Sequence, residues 1–219
     1  MPAVFWDVFS EVQLSLVDFL RGNWASALSH AQASFRLEAE TSSRGTGVGT
    51  FFRQMAYVGD HAGASAILHE KRAWLPRSGQ HNNTGSWWML ALVIEGLYML
   101  GEHSQARELY PLARELVDTG AVVLWPICRF THTVAGIAAA AAHQWEAAED
   151  HFQTALQQAE AVPHRLEQAE IRRFHAMMLI DRAAPGDREK ARRLLVEAGE
   201  TYTRIGVRRH SEITQTLLD

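Results

Sequence analysis

Five short turns at near-regular spacing constrain this chain more than any other feature. Gly22-Asn23-Trp24, Gly59-Asp60-His61, Gly101-Glu102-His103, His143-Gln144-Trp145 and Gly186-Asp187-Arg188 each follow one apolar helical stretch and precede another. Five positions after the first residue of each triplet stands an alanine: Ala27, Ala64, Ala106, Ala148 and Ala191. Nine positions after it come Ala31, Leu68, Tyr110, Phe152 and Leu195; twelve after it, Ser34, Lys71, Ala113, Ala155 and Ala198. Two antiparallel helices joined by a tight turn approach closely only where the facing side chain is small. A glycine ends the first helix in a left-handed cap, and a larger apolar residue one turn beyond the alanine fills the space between hairpins.

The turns lie 37, 42, 42 and 43 residues apart. A single hairpin cannot bury its apolar face and must stack on the next. The pattern therefore predicts an all-α fold, a right-handed α-α solenoid of about five helical hairpins, forming one domain over residues 1–219. Pro76, Pro126 and Pro163 fall between hairpins and Pro185 in the last intra-hairpin turn, as helix punctuation should. Asn82-Asn83-Thr84-Gly85-Ser86 reads as a polar loop that caps the helix starting at Trp87. No stretch alternates with period two, so no strand is expected. Two places strain the scheme. Pro111 falls inside the second helix of the third hairpin and should kink it. Gly45, Gly47 and Gly49 stand near the start of another helix, which should begin late or be mobile.

The hairpins resemble tetratricopeptide repeats over nearly the whole chain, from about Val4 to Leu218. The resemblance rests on Gly-Asn-Trp-Ala-Ser-Ala-Leu at 22–28, Gly-Glu-His-Ser-Gln-Ala-Arg at 101–107 and His-Gln-Trp-Glu-Ala-Ala-Glu at 143–149. The long spacing is similar to that of C-terminal arms in ATP-dependent LuxR-type regulators and multidomain adenylate or guanylate cyclases of bacteria. The segment from Pro185 to Ala198, with Tyr202-Thr-Arg-Ile-Gly-Val after it, looks like the end of such an arm. His143 in place of glycine and Lys71 in place of a small residue depart from the family pattern. The resemblance implies protein–protein contact or effector sensing, and it carries over no catalytic residue.

Composition narrows the function classes. Hydrophobic residues at 47% with charged residues at 21% exclude an intrinsically disordered chain. A net charge of −4 gives no global basic field for nucleic acid or anionic membrane. The single cysteine, Cys128, excludes an internal disulfide framework and reads as a buried, inert thiol in a reducing cytosol. Met1 to Ser10 lacks the pattern of a signal peptide. Trp87 to Leu100 is too short to span a bilayer. A cytoplasmic location is expected, and the Arg-rich, Ala-rich composition points to a GC-rich bacterial genome.

Catalytic and metal signals weaken on inspection. The glycines at 45–49 follow a helix rather than a strand and lack the Gly-Lys-Ser/Thr ending of a phosphate loop. His69-Glu70 begins like a zinc-protease helix, but Ala73 stands where the second histidine belongs. Glu146 with Glu149-Asp150 reads as a solvated helix face rather than a general acid–base pair. Arg204, Arg208, Arg209 and His210 form a basic patch best explained by helix C-terminal charge preference. Trp24 and Trp145 should wedge between helices. Trp87 and Trp88 point about 100° apart, so one is core and the other faces a groove or repeat junction. No enzyme, metal or cofactor is expected.

In hairpins of this kind the first helices line the concave face. Counting back from the turns places Arg53, Tyr57, Trp88, Glu95, Tyr98, Phe130 and Ile137 there. An aromatic groove with one Arg and one Glu suits a protein segment, another domain of a larger regulator, or a small effector. The competing reading packs these residues against neighbouring helices or a second copy. Glu95, the only charge between Trp87 and Leu100, must reach solvent, a partner or a ligand. Replacing it by Ala is expected to change binding more than folding. The sequence thus reads as a non-catalytic scaffold, the regulatory arm of a bacterial signalling or transcription regulator. The alternative is a structural module that self-associates as a homodimer through its terminal hairpins.

Overall fold

Helix-forming sequence fills almost the whole chain, and the breaks fall where backbone chemistry demands them. The computed structural model describes residues 2–39, 41 and 44–219. Twelve α-helices follow one another among these residues: α1 Pro2–Arg21, α2 Trp24–Glu38, α3 Thr46–Tyr57, α4 His61–Lys71, α5 Thr84–Met99, α6 His103–Glu108, α7 Tyr110–Asp118, α8 Thr131–Ala141, α9 Trp145–Ala161, α10 Arg165–Arg182, α11 Asp187–Ile205 and α12 Arg208–Leu218. The sequence from Trp24 to Glu40 reads as one helix; Glu40 lies outside the described residues.

The repeated offsets act as close-contact positions. All five turn residues adopt left-handed backbone with φ between 57 and 86°, His143 included. Ala27, Ala64, Ala106, Ala148 and Ala191 are all buried, as are the five residues four positions beyond them. Lys71 keeps its ammonium over the Trp74 ring, 4.9 Å from its centroid, while its stem is half-buried.

Within each hairpin the two helices pack on each other, and α2 packs on α3, α7 on α8, α9 on α10 and α11 on α12. The first helices also touch in series: α1 on α3, α3 on α5, α5 on α8, α8 on α10. The chain then meets itself, because α12 packs against α1. One apolar cluster runs from Val48 to Leu195, with smaller ones around Phe19 and Tyr202.

Three local expectations resolve differently from their sequence form. Pro111 does not kink a continuous helix; the helix stops at Glu108 and a new one begins at Tyr110, with proline in its first turn, where its missing N–H costs little. The glycines at 47 and 49 are buried within α3. A Cβ on Gly47 would stand 2.7 Å from the Ser34 carbonyl oxygen, and one on Gly49 2.8 Å from Met89 Cα. They allow α2 and α5 to approach the α3 backbone. The Glu38 carboxylate accepts the Gly47 and Val48 N–H groups at 2.9 and 3.0 Å, satisfying two donors at the start of α3.

Finally, two short strands do form, against expectation. β1 Val123–Leu124 and β2 Arg129–Phe130 pair antiparallel, Leu124 opposite Arg129. Two residues per strand are too few for period-two alternation to register in sequence. Their connection is a single helical turn at Trp125–Ile127, followed by Cys128 at φ 51°.

Candidate functional site

The centre of the molecule is a buried cluster of ionised side chains rather than an open groove. β2 carries Arg129 into it. The Arg129 guanidinium donates through Nη1 to Glu167 Oε2 at 2.9 Å, and through Nη2 to Glu95 Oε2 at 2.8 Å and Glu170 Oε2 at 2.9 Å. One cation thus joins β2, α5 and α10. Glu167, Glu170 and Arg173 follow at i, i+3 spacing along one face of α10.

Arg173, fully buried, extends the cluster to α3 and α11. Its Nη2 donates to Glu170 Oε2 at 2.9 Å and to the Tyr57 hydroxyl at 2.8 Å, and its Nε to the Tyr202 hydroxyl at 3.3 Å. The guanidinium stacks over the Phe174 ring at 4.1 Å. The Tyr57 hydroxyl donates to Glu95 Oε1 at 2.9 Å, and the Tyr202 hydroxyl donates to Glu170 Oε1. Glu167 Oε1 takes the remaining donors, the Phe130 N–H at 3.0 Å and the Thr133 hydroxyl at 2.7 Å. Arg53 lies 4.7 Å above the Phe19 ring of α1, and His210 of α12 sits between the rings of Phe19, Tyr57 and Tyr202.

The electrostatics follow from burial opposed by mutual charge. Burial works to raise the Glu95 carboxyl, but Arg129 and Arg53 outweigh it and hold it below the ordinary range. Glu170 is driven well below that range, because Arg173 and Arg129 overcome a similar burial penalty. Burial pushes the Tyr57 phenol far up, so it stays a hydrogen-bond donor. His210 is pushed down to about 4, mainly by burial, and is neutral at pH 7. At Glu167 burial outweighs Arg129 and raises the carboxyl, so three Arg face two carboxyls held low and one held high. Such a cluster contributes little net stability over an apolar core, yet breaking any one partner leaves a costly unpaired charge.

The residues expected to line a groove divide into three sets. Arg53, Tyr57 and Glu95 meet in the central cluster, each buried. Glu95, 1% exposed, finds its partner inside the chain. Phe130 adjoins the cluster through its backbone N–H, while its ring meets His164 edge-on at 5.7 Å. Tyr98 is separate: its hydroxyl donates to Asp181 at 2.6 Å and its ring stacks on His103. Trp88 and Ile137 pack in the apolar core, with Trp87 half-buried beside them.

Sequence reasoning missed Arg129, Glu167, Glu170, Arg173 and His210. On a helix, Glu167–Glu170–Arg173 reads as an ordinary solvated face. The available signal was their interleaving with Ala169, Ile171, Phe174 and Ala176, all buried. His210 also leaves the basic patch to which its neighbours assigned it. It turns inward, while Arg208 and Arg209 pair with Glu212 outside. Trp24 and Trp145 pack against their hairpins but stay half-buried.

Cys128 is half-buried at the rim of this region. Its thiol is raised above its ordinary value by burial and by Glu167, which disfavours a reactive thiolate. Among the described residues no group of three or more His, Cys, Asp or Glu is arranged to hold a metal, and no helix is long and apolar enough to cross a membrane. Comparisons with protein-family models, curated proteins and solved structures find no match for this chain.

Proposed function

We propose that this chain is a non-catalytic helical-repeat scaffold, a right-handed solenoid of the tetratricopeptide kind, that works by binding. In this reading it is the regulatory arm of a cytoplasmic bacterial signalling or transcription regulator, and its occupant is a small effector or a segment of a partner protein. The observation that carries the proposal is the buried ion cluster, which ties α3, α5, β2, α10 and α11 together. Ion pairs of this kind are poor stabilisers, and they respond to any ligand that competes for one member. His210 and Phe19 bring α12 and α1 to the same centre. A binding event there would alter how the two ends of the chain meet, which is how a repeat arm would relay it. The groove positions are already covered by the chain itself, which favours a small effector over a peptide in the interior.

The test is to establish the full reading frame and express this chain in trans with the remainder of that protein. Saturable binding between the two, altered by Glu95→Gln, supports the proposal. A frame holding no other domain, with no binding to the products of adjacent genes, would overturn it.

A second reading, self-association, is favoured by one surface. Trp6 is 59% and Trp125 63% exposed, and both pack on Phe9 (ring centroids at 6.1 and 5.0 Å) with Phe5 beside them. Leu14 and Val17 continue the exposed apolar face along α1. Single-molecule-scale apolar exposure is ordinary, but a contiguous aromatic cluster marks an interaction surface. Light scattering across a concentration series decides: a dimer abolished by Trp6→Ser supports this reading, and a monomer at all concentrations excludes it.

A further inference from the structure

The outer face of α1 carries a pattern that the fold itself does not use. Its inner face is committed: Val8, Val12, Ser15 and Phe19 are buried, and the helix packs on α2 and α3. Turned away from them stand Asp7, Ser10, Leu14, Val17 and Arg21, all exposed. Their spacing alternates three and four residues, the 3.5-residue average that keeps one stripe against a neighbouring helix along its length. Leu14 and Val17, 47 and 43% exposed, form the middle of the stripe. Opposite charges close its two ends, Asp7 at one and Arg21 at the other. Among the described residues neither makes an ion pair or a side-chain hydrogen bond.

A single exposed leucine or valine is ordinary on a protein surface. A stripe at coiled-coil spacing, apolar in the middle and of opposite sign at its ends, is complementary to itself when reversed. We propose that α1 is the contact between two copies of this chain, packed antiparallel about a two-fold axis that passes between Leu14 and Val17.

In that register Leu14 of one copy meets Val17 of the other, and Ser10 lies level with Arg21 of the other. Asp7 is three residues further along, about 4.5 Å at the rise of an α-helix, within reach of the same guanidinium. The two-fold axis repeats every contact, so the interface holds two Asp7–Arg21 pairs. Parallel pairing would set Asp7 against Asp7 and Arg21 against Arg21; charge therefore selects the antiparallel arrangement. The remaining acids of α1 are engaged within their own chain, Glu11 with His30 and Asp18 with Ser26 and Asn23. Trp6, beside Asp7, brings the aromatic cluster that it forms with Phe9 and Trp125 to the edge of the contact.

This inference rests on the self-association reading and specifies its geometry. It is tested by sedimentation equilibrium of the chain over a concentration series. Asp7→Arg and Arg21→Asp are each expected to weaken the dimer about tenfold, since each turns two attractive pairs repulsive. The double variant is expected to regain the parent affinity, and Leu14→Glu to abolish the dimer. Asp7, Leu14 and Arg21 are exposed, so circular dichroism and Tm should stay those of the parent. A dimer that tolerates both charge reversals and is lost only with Trp6→Ser overturns the α1 pairing and leaves self-association standing. Losses in the single variants that the double variant does not reverse do the same. A monomer at every concentration overturns both.

Discussion

Arg129 Nη2 and Glu95 Oε2 stand 2.8 Å apart in the interior, although 34 positions separate them in the chain. The contact links the β2 strand to the middle of α5, a helix that is otherwise apolar from Trp87 to Met99. It moves the expected effect of Glu95→Ala from binding toward folding. Removing the carboxylate leaves Arg129 under-compensated and strips Tyr57 of its acceptor. A loss of about 3–5 kcal/mol is expected from breaking a buried pair, read as a lower denaturation midpoint. Glu95→Gln retains an acceptor and should lose less; equal losses would show that charge is not what matters there.

Close helix approach at Gly49 makes a second expectation. Its ideal Cβ falls 2.8 Å from the Met89 Cα, a backbone atom that cannot swing aside. Gly49→Ala should therefore destabilise by about 1–3 kcal/mol through overpacking, although alanine has the better helix propensity. At an exposed helix position the same change would stabilise by about 1 kcal/mol. Thermal unfolding of the single variant gives the sign.

Glu38 offers a third. Its carboxylate is buried, accepts two N–H groups of the first turn of α3, and is raised above the ordinary range by burial. Glu38→Ala should cost about 1–2 kcal/mol, at the upper end for a helix cap. Amide exchange at Gly47 and Val48 should accelerate before the rest of α3. Uniform acceleration along the helix would assign Glu38 a packing role instead.

Acid sensitivity follows from the buried histidines. Burial lowers His210 and His175 to about 4 from 6.5, so the folded chain keeps them neutral where the unfolded chain protonates them. The unfolded state binds more protons between those values, and stability therefore rises with pH across that window and falls as pH drops through it. His210 alone would contribute up to about 3 kcal/mol of loss by pH 4, at 1.36 kcal/mol for each unit. Chemical denaturation at pH 7, 6, 5 and 4 should trace the decline, and His210→Gln should flatten it. A profile unchanged by that variant would place the acid transition elsewhere.

Much of the architecture is written locally. The five left-handed turn positions, the alanines five residues beyond them and the larger residues four further on are set by helix ends and helix contacts, so they leave a periodic trace in sequence. The interior leaves no such trace. Arg53 and Tyr57 came only from counting back from the turns, as groove positions that the structure buries, whereas Glu95 was legible as a charge in need of a partner because it stands alone in an apolar helix. Arg129 was not, because a two-residue strand has no pattern, and Glu167, Glu170 and Arg173 were not, because charges at i, i+3 usually face water. Whether a charge is solvated or buried depends on what covers it. Here α10 is enclosed by α8, α9 and α11, and the meeting of α1 with α12 brings Phe19 and His210 over the same centre. The sequence by itself determined the helices and where they turn. Only the tertiary structure decided that the interior is filled by paired charges, since that requires residues far apart in the chain, such as Tyr57 and Arg173 at a separation of 116 positions, to share one desolvated space.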